Sequence, residues 1–383
     1  MFFIVFISMQ SIAVTLPALP IELNQVLGFS DWVVGITMGI QALVTVALRH
    51  RAGSYCDTRG SKEAVCLGLW ISVVSSLVYL LAAAPMWTRE VMLAWIIVSR
   101  VLLGIGEALF ITGVMSWGIS RLGVRKTGKV MTWQGIALYS SMGLGASLGL
   151  FLQKHYGFVS VAIVSLVAPL IALAIATSTQ RVAALGGHRA SFLEVINLIW
   201  KPGMVLTLAS VPFATMSAFL SLYYENRGWT GDTVTLTAGP AMAGFGTGYV
   251  LVRLLFAHLP DKFGGVAVAV GSLVIEAIGQ VMLWWSPDPL VAFIGATLTG
   301  IGFSLIFPSM GVEATRRIRS EQRGQAVGNF IAFFDISLGV TAPTVGIAIS
   351  YLGYGACFSL GSFAVILALA LVPTITATKV VEA

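Results

Sequence analysis

Residues 49 to 62 read RHRAGSYCDTRGSK, a short polar stretch between two long apolar runs. The same spacing of key residues returns 204 positions further along the chain. The matching pairs are Arg49 and Arg253, Gly53 and Ala257, Asp57 and Asp261, and Gly60 and Gly264. A chain that repeats a polar connection between hydrophobic segments is built from two related membrane halves.

The repeat continues beyond this stretch at an offset of 196. Five glycine pairs carry it: Gly104 and Gly300, Gly106 and Gly302, Gly128 and Gly324, Gly143 and Gly339, and Gly157 and Gly353. A connection that is eight residues shorter in the second half accounts for the drop from 204 to 196. Two large related halves of this kind indicate a transporter.

Composition places the chain in the membrane. Hydrophobic residues make up 57% of the sequence and charged residues 10%, with a mean hydropathy of +0.92, whereas soluble proteins carry about 25% charged residues. A membrane-spanning helix needs about 20 mainly apolar residues. Twelve such runs lie near residues 1–19, 32–48, 64–84, 91–117, 128–152, 159–178, 203–224, 233–256, 266–285, 289–312, 324–350 and 355–374. We therefore predict an all-α membrane protein with twelve transmembrane helices in two pseudo-symmetric six-helix bundles.

The predicted boundaries divide the chain into a bundle at residues 1–178, a cytoplasmic linker at 179–202 and a second bundle at 203–383. The linker is the longest connection and has only some two dozen positions, too few for a separate domain. Within it, Ser191 to Trp200 carries apolar residues at helical spacing. This pattern predicts a short amphipathic helix on the membrane surface.

The net charge of +6 belongs mainly to one side of the predicted membrane. If the amino terminus is cytoplasmic, the cytoplasmic connections and tail hold 18 of the 22 Lys and Arg residues. Such an excess sets the orientation of membrane proteins, so we expect both termini in the cytoplasm and no nucleic-acid partner. The first helix begins at Met1 without a charged leader, which leads us to expect a longer native amino terminus.

The stretch Gly53-x-x-x-Asp57-x-x-Gly60-x-Lys62 resembles the loop between helices 2 and 3 of the major facilitator superfamily. The resemblance implies a conformational latch that joins the two halves on the cytoplasmic side. Its residues would be Arg49, Gly53, Asp57, Gly60, Lys62, Arg253, Asp261 and Gly264. The second copy departs from the pattern at Ala257 and Val266. The alternative is a solvated turn with an ordinary capping aspartate.

Helix 4 contains Arg100-Val-Leu-Leu-Gly-Ile-Gly-Glu107, which looks like the Arg-x-x-x-Gly-x-Gly segment of the same superfamily. A charge at the bilayer centre costs about 2.5 to 3.5 kcal/mol, so both residues should face protein or water. Seven positions are almost two helical turns, which places the two side chains on one face about 10 Å apart. We weigh proton coupling equally with a fixed ion pair or brace.

Further intramembrane polar residues complete the candidate sites. Helix 11 borders the central cavity in the superfamily, so the resemblance implies that Asp335 binds a proton or the substrate. Candidates for substrate contacts in the cavity are Gln10, Gln41, Gln134 and Asn329. The sequence contains no zinc-like Cys/His spacing and no nucleophile triad. We therefore predict neither an enzyme nor a metal or cofactor site.

Helix 5 contains GLGASLG at residues 143 to 149, which is similar to the glycine-rich segment of superfamily antiporters, though Ala146 stands in place of its proline. The whole chain looks most like the arabinose-efflux-like permeases of bacterial inner membranes. The resemblance implies a secondary transporter, which we expect to export a small sugar- or drug-like solute coupled to protons. Proton-linked uptake of a sugar or organic acid, or a membrane sensor or scaffold that moves no solute, remains an alternative. The expected partners are the lipid bilayer, the solute and protons, with the protein acting as a monomer.

Overall fold

The computed structural model describes residues 1–84, 86–123, 126–181, 192–230, 235–315 and 323–375. Among these residues twelve helices are long. In chain order they are α1 Phe2–Val26, α2 Asp31–Arg59, α3 Ser61–Ala82, α4 Arg89–Leu122, α5 Thr127–Tyr156, α6 Phe158–Ser178, α7 Phe192–Asn226, α8 Ala238–Phe256, α9 Gly265–Trp284, α10 Pro289–Ala314, α11 Arg323–Leu352 and α12 Gly355–Leu371. A short helix, Leu259–Phe263, lies between α8 and α9.

Each predicted apolar run corresponds to one of these helices, and the predicted all-α fold is confirmed. In the described part of the chain, eleven helices are long and apolar enough to cross a membrane. The remaining one, α8, has 19 residues, several of them glycines, and carries the buried Arg253. Its glycines and its arginine lower its mean hydropathy, and its buried glycine-rich face packs against α5 and α10.

The segment expected to form a separate amphipathic helix is continuous with α7, which begins at Phe192. Ile199 is fully buried, and the Lys201 ammonium donates to the Thr374 carbonyl oxygen at 3.1 Å. These two contacts draw the segment into the second bundle instead of leaving it on the membrane surface. The rest of the predicted linker, residues 182–191, lies outside the described residues, as does the carboxyl-terminal tail, and the boundaries of the two bundles stay a prediction.

The two halves of the chain pack their helices in the same way. In the first half, α1 contacts α5 and α6, α2 contacts α4, and α3 contacts α4 and α6. In the second half, α7 contacts α11 and α12, α8 contacts α10, and α9 contacts α10 and α12. Each of these five pairs in the first half therefore has its counterpart six helices later, as expected for two pseudo-symmetric bundles.

The repeat read from the sequence also appears in single contacts. The Ser75 hydroxyl donates to the Ser99 carbonyl oxygen at 2.8 Å and joins α3 to α4. The positions offset by 204 and 196 are Gly279 and Gly295, and a β-carbon on Gly279 would lie 2.7 Å from the Gly295 carbonyl oxygen. Both halves therefore bring these two helices together at the same depth.

Glycines reverse the chain at the repeated polar stretch. Gly60 ends α2 with φ +109°, and Gly264 precedes α9 with φ +87°. L-residues with a side chain rarely adopt such angles, so each turn requires glycine. We call this end of the bundle the basic face, because the loops predicted to be cytoplasmic hold most of the Lys and Arg residues, and the other end the opposite face.

Two antiparallel helix pairs join the halves, α2 with α11 and α5 with α8. In the α2/α11 interface, a β-carbon on Gly39 would lie 2.6 Å from the Gly339 carbonyl oxygen. In the α5/α8 interface, a β-carbon on Gly246 would lie 2.7 Å from the Gly143 α-carbon. Glycines allow the backbones to approach this closely.

The halves are in contact at the opposite face. The Tyr354 hydroxyl donates to the Asp31 carboxylate at 2.7 Å, next to α11 and α2, and the Ser147 hydroxyl donates to the Gly239 carbonyl oxygen at 2.9 Å between α5 and α8. Burial raises the pKa of the Tyr354 hydroxyl above its usual value, and the hydrogen bond to Asp31 raises this pKa further. The structure thus has a conformation in which the opposite face is held together.

Candidate functional site

A cavity lies between the two halves. Its polar lining comes from Gln41, Arg100, Glu107, Ser217 and Asp335, and its apolar lining includes methionines and phenylalanines. The cavity volume is about 70 Å³, well below the roughly 300 to 1,000 Å³ of pockets that hold drug-sized ligands. A solute of that size therefore requires the halves to move apart.

An ion pair between Arg49 and Asp335 crosses the α2/α11 interface. The Arg49 Nε atom donates to the Asp335 Oδ2 atom at 2.6 Å, and an Nη atom of Arg49 contacts the same oxygen. The two side chains are 9% and 5% exposed, so the pair is screened little by water. Arg49 was predicted as part of the latch and Asp335 as a coupling site, and the structure brings these two groups together.

Gln41 bridges the two charged residues of α4. The Gln41 Oε1 atom accepts a hydrogen bond from Arg100, and its Nε2 atom donates to the Glu107 carboxylate at 2.8 Å. The Thr45 hydroxyl lies 3.4 Å from the same carboxylate. Arg100 and Glu107 are therefore connected by hydrogen bonds to the Gln41 amide of α2 rather than by direct contact. Gln41 was predicted as a substrate contact, but both ends of its amide are engaged within the protein.

The other predicted latch residues lie at the ends of helices on the basic face. The Lys62 ammonium donates to the carbonyl oxygens of Thr177 and Thr179 at 2.6 Å, within the first half. It therefore stabilises the last turn of α6. Gly53 lies in α2 with nothing within 4 Å of the position of a β-carbon.

Four of the remaining latch residues are the two aspartates and the two turn glycines of the repeated stretch. Asp57 is exposed in the last turn of α2, and Asp261 is exposed in the short helix before α9. Gly60 and Gly264 form the turns described above. Two latch side chains, Arg49 and Arg253, lie against the other half of the chain, among those whose contacts the structure gives.

Three of the predicted cavity residues do not line the central cavity. Gln134 lines a separate cavity of about 230 Å³ between α1, α4 and α5, and its Nε2 atom lies 3.3 Å from the Ile111 carbonyl oxygen. Gln10 faces Gly145 of α5. Asn329 lies in α11 outside the lining of both cavities. The residues were inferred from polarity alone, which does not report the direction in which a side chain points.

The second interface between the halves carries tyrosines and an arginine. Tyr139 of α5 stacks on Tyr249 of α8 with 3.8 Å between ring centroids. The Arg253 guanidinium lies 5.7 Å from the Tyr249 ring centroid, and its Nη1 atom donates to the Ser304 carbonyl oxygen at 2.7 Å. Arg253 is 2% exposed. The α5/α8 interface is therefore aromatic where the α2/α11 interface is ionic.

An aromatic cluster of the second half borders the cavity and was missed from the sequence. Phe213 packs against Phe245, Phe303 and Phe334 with ring centroids 5.3, 6.2 and 6.1 Å apart. Phe213 and Phe334 line the cavity. The sequence did contain a signal for this cluster. Phe245 and Phe303 lie at the positions of the repeat that correspond to Gln41 and Glu107. The first half contributes Gln41, Arg100 and Glu107 to the polar lining of the cavity. The second half contributes Ser217, Asp335 and an aromatic wall of Phe213 and Phe334.

The sequence matches the family model described as Major Facilitator Superfamily over residues 1–247 and 236–380. The chain belongs to the major facilitator superfamily. An uncharacterized MFS-type transporter of Salmonella typhimurium is 37% identical over 371 residues, which cover 96% of this chain and 93% of that protein. An uncharacterized MFS-type transporter of Burkholderia pseudomallei is 36% identical over 355 residues, covering 92% and 85% of the two chains.

A solved structure has the same fold. The crystal structure of the human organic anion transporter MFSD10 (TETRAN) matches with a TM-score of 0.70 and covers 97% of each chain. Its sequence identity is 16%, so this likeness concerns the fold alone. Family membership makes this major facilitator protein a multi-pass membrane transporter.

Proposed function

We propose that this transporter exports a small organic solute, sugar- or drug-like, in exchange for protons by alternating access across a bacterial inner membrane. One observation carries the proposal. Asp335 lines the central cavity and is also paired with Arg49 of the other half. The protonation of one carboxyl group is thereby linked to the contact between the halves.

The physical step is the loss of this ion pair on protonation. A neutral Asp335 leaves the Arg49 guanidinium buried without a counter-charge, which costs about 3 to 5 kcal/mol. Opening of the α2/α11 interface towards the basic face lets water reach Arg49 and removes that cost. When Asp335 loses its proton, the pair forms again and the basic face closes.

Glu107 is the second coupling candidate. Its carboxylate accepts a hydrogen bond from Gln41, which also accepts from Arg100. Protonation of Glu107 weakens the hydrogen bond that its carboxylate accepts from the Gln41 amide. This weakening changes the position of both α2 and Arg100. If the three residues only form a brace, Glu107→Gln leaves proton flux unchanged.

Two features support the direction and the monomeric state. The α5 segment that is similar to antiporters packs closely on α1, where a β-carbon on Gly145 would lie 2.5 Å from the Ala13 β-carbon. This supports export, with proton-linked uptake as the second candidate. The cavity, the ion pair and the Gln41 bridge all belong to one chain, so a monomer in the bilayer contains every part of the proposed mechanism.

Proton flux in everted membrane vesicles tests the coupling. A pH-sensitive dye records proton release when each of a set of sugars, organic acids and drugs is added to energised vesicles. We expect one solute class to release protons, with at least a tenfold loss in Asp335→Asn. Asp288→Asn is the control, because Asp288 is an exposed helix cap and asparagine caps equally well. Solute-dependent flux that is unchanged in both Asp335→Asn and Glu107→Gln would contradict the proposal.

Solute content of intact cells distinguishes the alternatives. Cells that produce the protein should contain less of the solute than cells without it if the protein exports. A higher content would indicate uptake, and an unchanged content for all solutes would indicate a sensor or scaffold.

A further inference from the structure

Among the described residues, Arg253 is a buried cation without a counter-charge. It is 2% exposed, and in the described part of the chain no carboxylate lies within ion-pair distance of it. Its Nη1 atom donates a hydrogen bond to the Ser304 carbonyl oxygen, whereas its Nε atom has no hydrogen-bond partner among the described residues. Buried charges in proteins are normally paired, and arginine does not lose its proton.

Arg253 faces the moving interface rather than the lipid. Its Nη2 atom lies 3.1 Å from the position that a β-carbon on Gly135 would take, on α5 of the other half. Gly135 has no side chain, so at this position the α5 backbone can approach the edge of the guanidinium. When α5 and α8 separate at the basic face, the edge becomes open to the cytoplasmic side.

The matching site in the other interface shows which group is missing. Arg49, the counterpart of Arg253 at an offset of 204, is paired with Asp335. The counterpart of Asp335 at an offset of 196 is Tyr139, which has no carboxylate. The second interface therefore holds the cation of the repeat without its anion.

We infer that Arg253 is the binding site for the carboxylate of an organic anion that carries a planar apolar body, and that this anion is the transported solute. The inference rests on the transport function proposed above and names its substrate class. A carboxylate can accept two parallel hydrogen bonds from one guanidinium, the strongest pairing open to arginine. When the basic face closes on the bound anion, the ligand supplies the charge that the protein lacks at this position.

The described lining of the central cavity does not include Arg253 but lies close to it, because Tyr139 packs both on Tyr249 beside Arg253 and on Phe213 of the lining. The chemistry of this cavity fits the same class. Asp335 does not offer a free negative charge to a cationic solute, since the Arg49 guanidinium already neutralises it. Phe213 and Phe334 present aromatic surface to the cavity, and aromatic rings stack favourably on flat apolar ligands.

Binding to the purified full-length protein, without any ion gradient, tests the inference. The probes are 2-naphthoate, its neutral analogue 2-naphthalenemethanol and its cationic analogue 2-naphthylmethylamine, which share one ring system. We expect naphthoate to bind at least tenfold more tightly than either analogue. Arg253→Gln should weaken naphthoate binding at least tenfold and leave the alcohol unaffected, and Arg253→Lys should lie between.

Arg227→Gln is the matched control. Arg227 is also in the second half, lies over the rings of Tyr223 and Trp229, and donates to the Ser286 carbonyl oxygen at the opposite face. Its variant should bind naphthoate within twofold of the unaltered protein. Should Arg253→Gln fail to fold, Gly135→Ala keeps the charge but places a methyl group against the guanidinium, and we expect at least a threefold loss for naphthoate alone.

Absence of naphthoate binding, equal binding of the three probes, or naphthoate binding that is unchanged in Arg253→Gln would overturn the inference. These outcomes are separate from those of the proton-flux experiment. Arg253-dependent binding without any solute-coupled proton flux would leave the anion site standing and remove proton coupling. Solute-coupled proton flux with no Arg253-dependent binding would do the reverse.

Discussion

The α2/α11 and α5/α8 interfaces have the same backbone arrangement but different chemistry. Both are antiparallel helix pairs with a close glycine contact, and both carry an arginine at the same place in the repeat. In α2/α11, Asp335 neutralises Arg49; in α5/α8, two stacked tyrosines lie beside Arg253. The two interfaces therefore share their helix packing but differ in the partner of the arginine. We expect this difference to determine what each interface does in transport.

The walls of the cavity differ in the same way. Gln41 and Glu107 of the first half correspond to Phe245 and Phe303 of the second. The first half therefore contributes Glu107 and its hydrogen-bond partner Gln41 to the cavity, whereas the second half contributes Asp335 together with aromatic surface. The cavity therefore presents both charged and aromatic side chains to its interior.

Breaking the ionic interface should have the largest effect. Asp335→Asn removes the counter-charge of the buried Arg49, and we expect the free energy of unfolding to fall by at most about 3 to 5 kcal/mol, because opening of the basic face lets water reach Arg49. Denaturant unfolding of the purified protein measures the change. The double variant Arg49→Gln with Asp335→Asn removes both charges and should recover at least half of the loss. A double variant as unstable as the sum of the two single variants would show that the residues do not interact.

Crowding the glycine contact should have the next largest effect. A β-carbon on Gly39 would lie 2.6 Å from the Gly339 carbonyl oxygen, so Gly39→Ala forces α2 and α11 apart at a cost of roughly 2 kcal/mol. Gly53→Ala on the same helix is the control, because nothing lies within 4 Å of the added methyl group. The midpoint temperature of thermal unfolding should fall in Gly39→Ala only. Equal effects of the two substitutions would mean that helix propensity, not the interface, is responsible.

Supplying the missing anion should make the two interfaces alike. Tyr139→Asp places a carboxylate at the counterpart of Asp335, whereas Tyr139→Asn makes the same change of shape without the charge. We expect the Asp variant to be more stable than the Asn variant by about 1.5 kcal/mol, as for a hydrogen bond between charged groups. It should also bind naphthoate more weakly, because the new carboxylate occupies Arg253. Identical stabilities in chemical denaturation would show that Arg253 is not reached from position 139.

The contact at the opposite face should have the smallest effect. Tyr354→Phe removes the hydrogen bond to Asp31, and we expect a loss of about 1 kcal/mol. The pKa of Tyr354 is raised, so its hydroxyl stays a donor below the ordinary tyrosine pKa of about 10. The stability difference between Tyr354→Phe and the unaltered protein should be constant over neutral pH and disappear only in strong alkali. A difference that changes between about pH 6 and 8 would contradict this assignment.

Much of the fold follows from the sequence because it depends on local and periodic features. Apolar runs of membrane length predict the helices, and the repeated polar stretch predicts two halves with one turn geometry, which Gly60 and Gly264 share. Continuity of the segment at residues 192–200 with α7 was not predicted, because its amphipathic spacing also fits a separate helix on the membrane surface. There, burial of Ile199 keeps the segment in the bundle.

The site was harder to predict because its parts are distant in sequence. Arg49 and Asp335 are 286 positions apart, and the residues around each of them do not indicate that the two side chains are in contact. Polarity marked Gln41, Gln10 and Gln134 alike, although the first bridges two charges and the other two point away from the cavity. The aromatic wall was overlooked because phenylalanine in a membrane helix is usually lipid-facing.

Distances between spin labels on both faces test the central claim most directly, that two halves move about a shared cavity under control of the Arg49–Asp335 pair. One label pair replaces the exposed Arg51 and Phe263 near the basic face, and another replaces the exposed Tyr156 and Tyr351 at the opposite face. In Asp335→Asn we expect the first distance to lengthen by several ångströms while the second shortens or stays constant. Unchanged distances at both faces, or lengthening at both, would contradict the account.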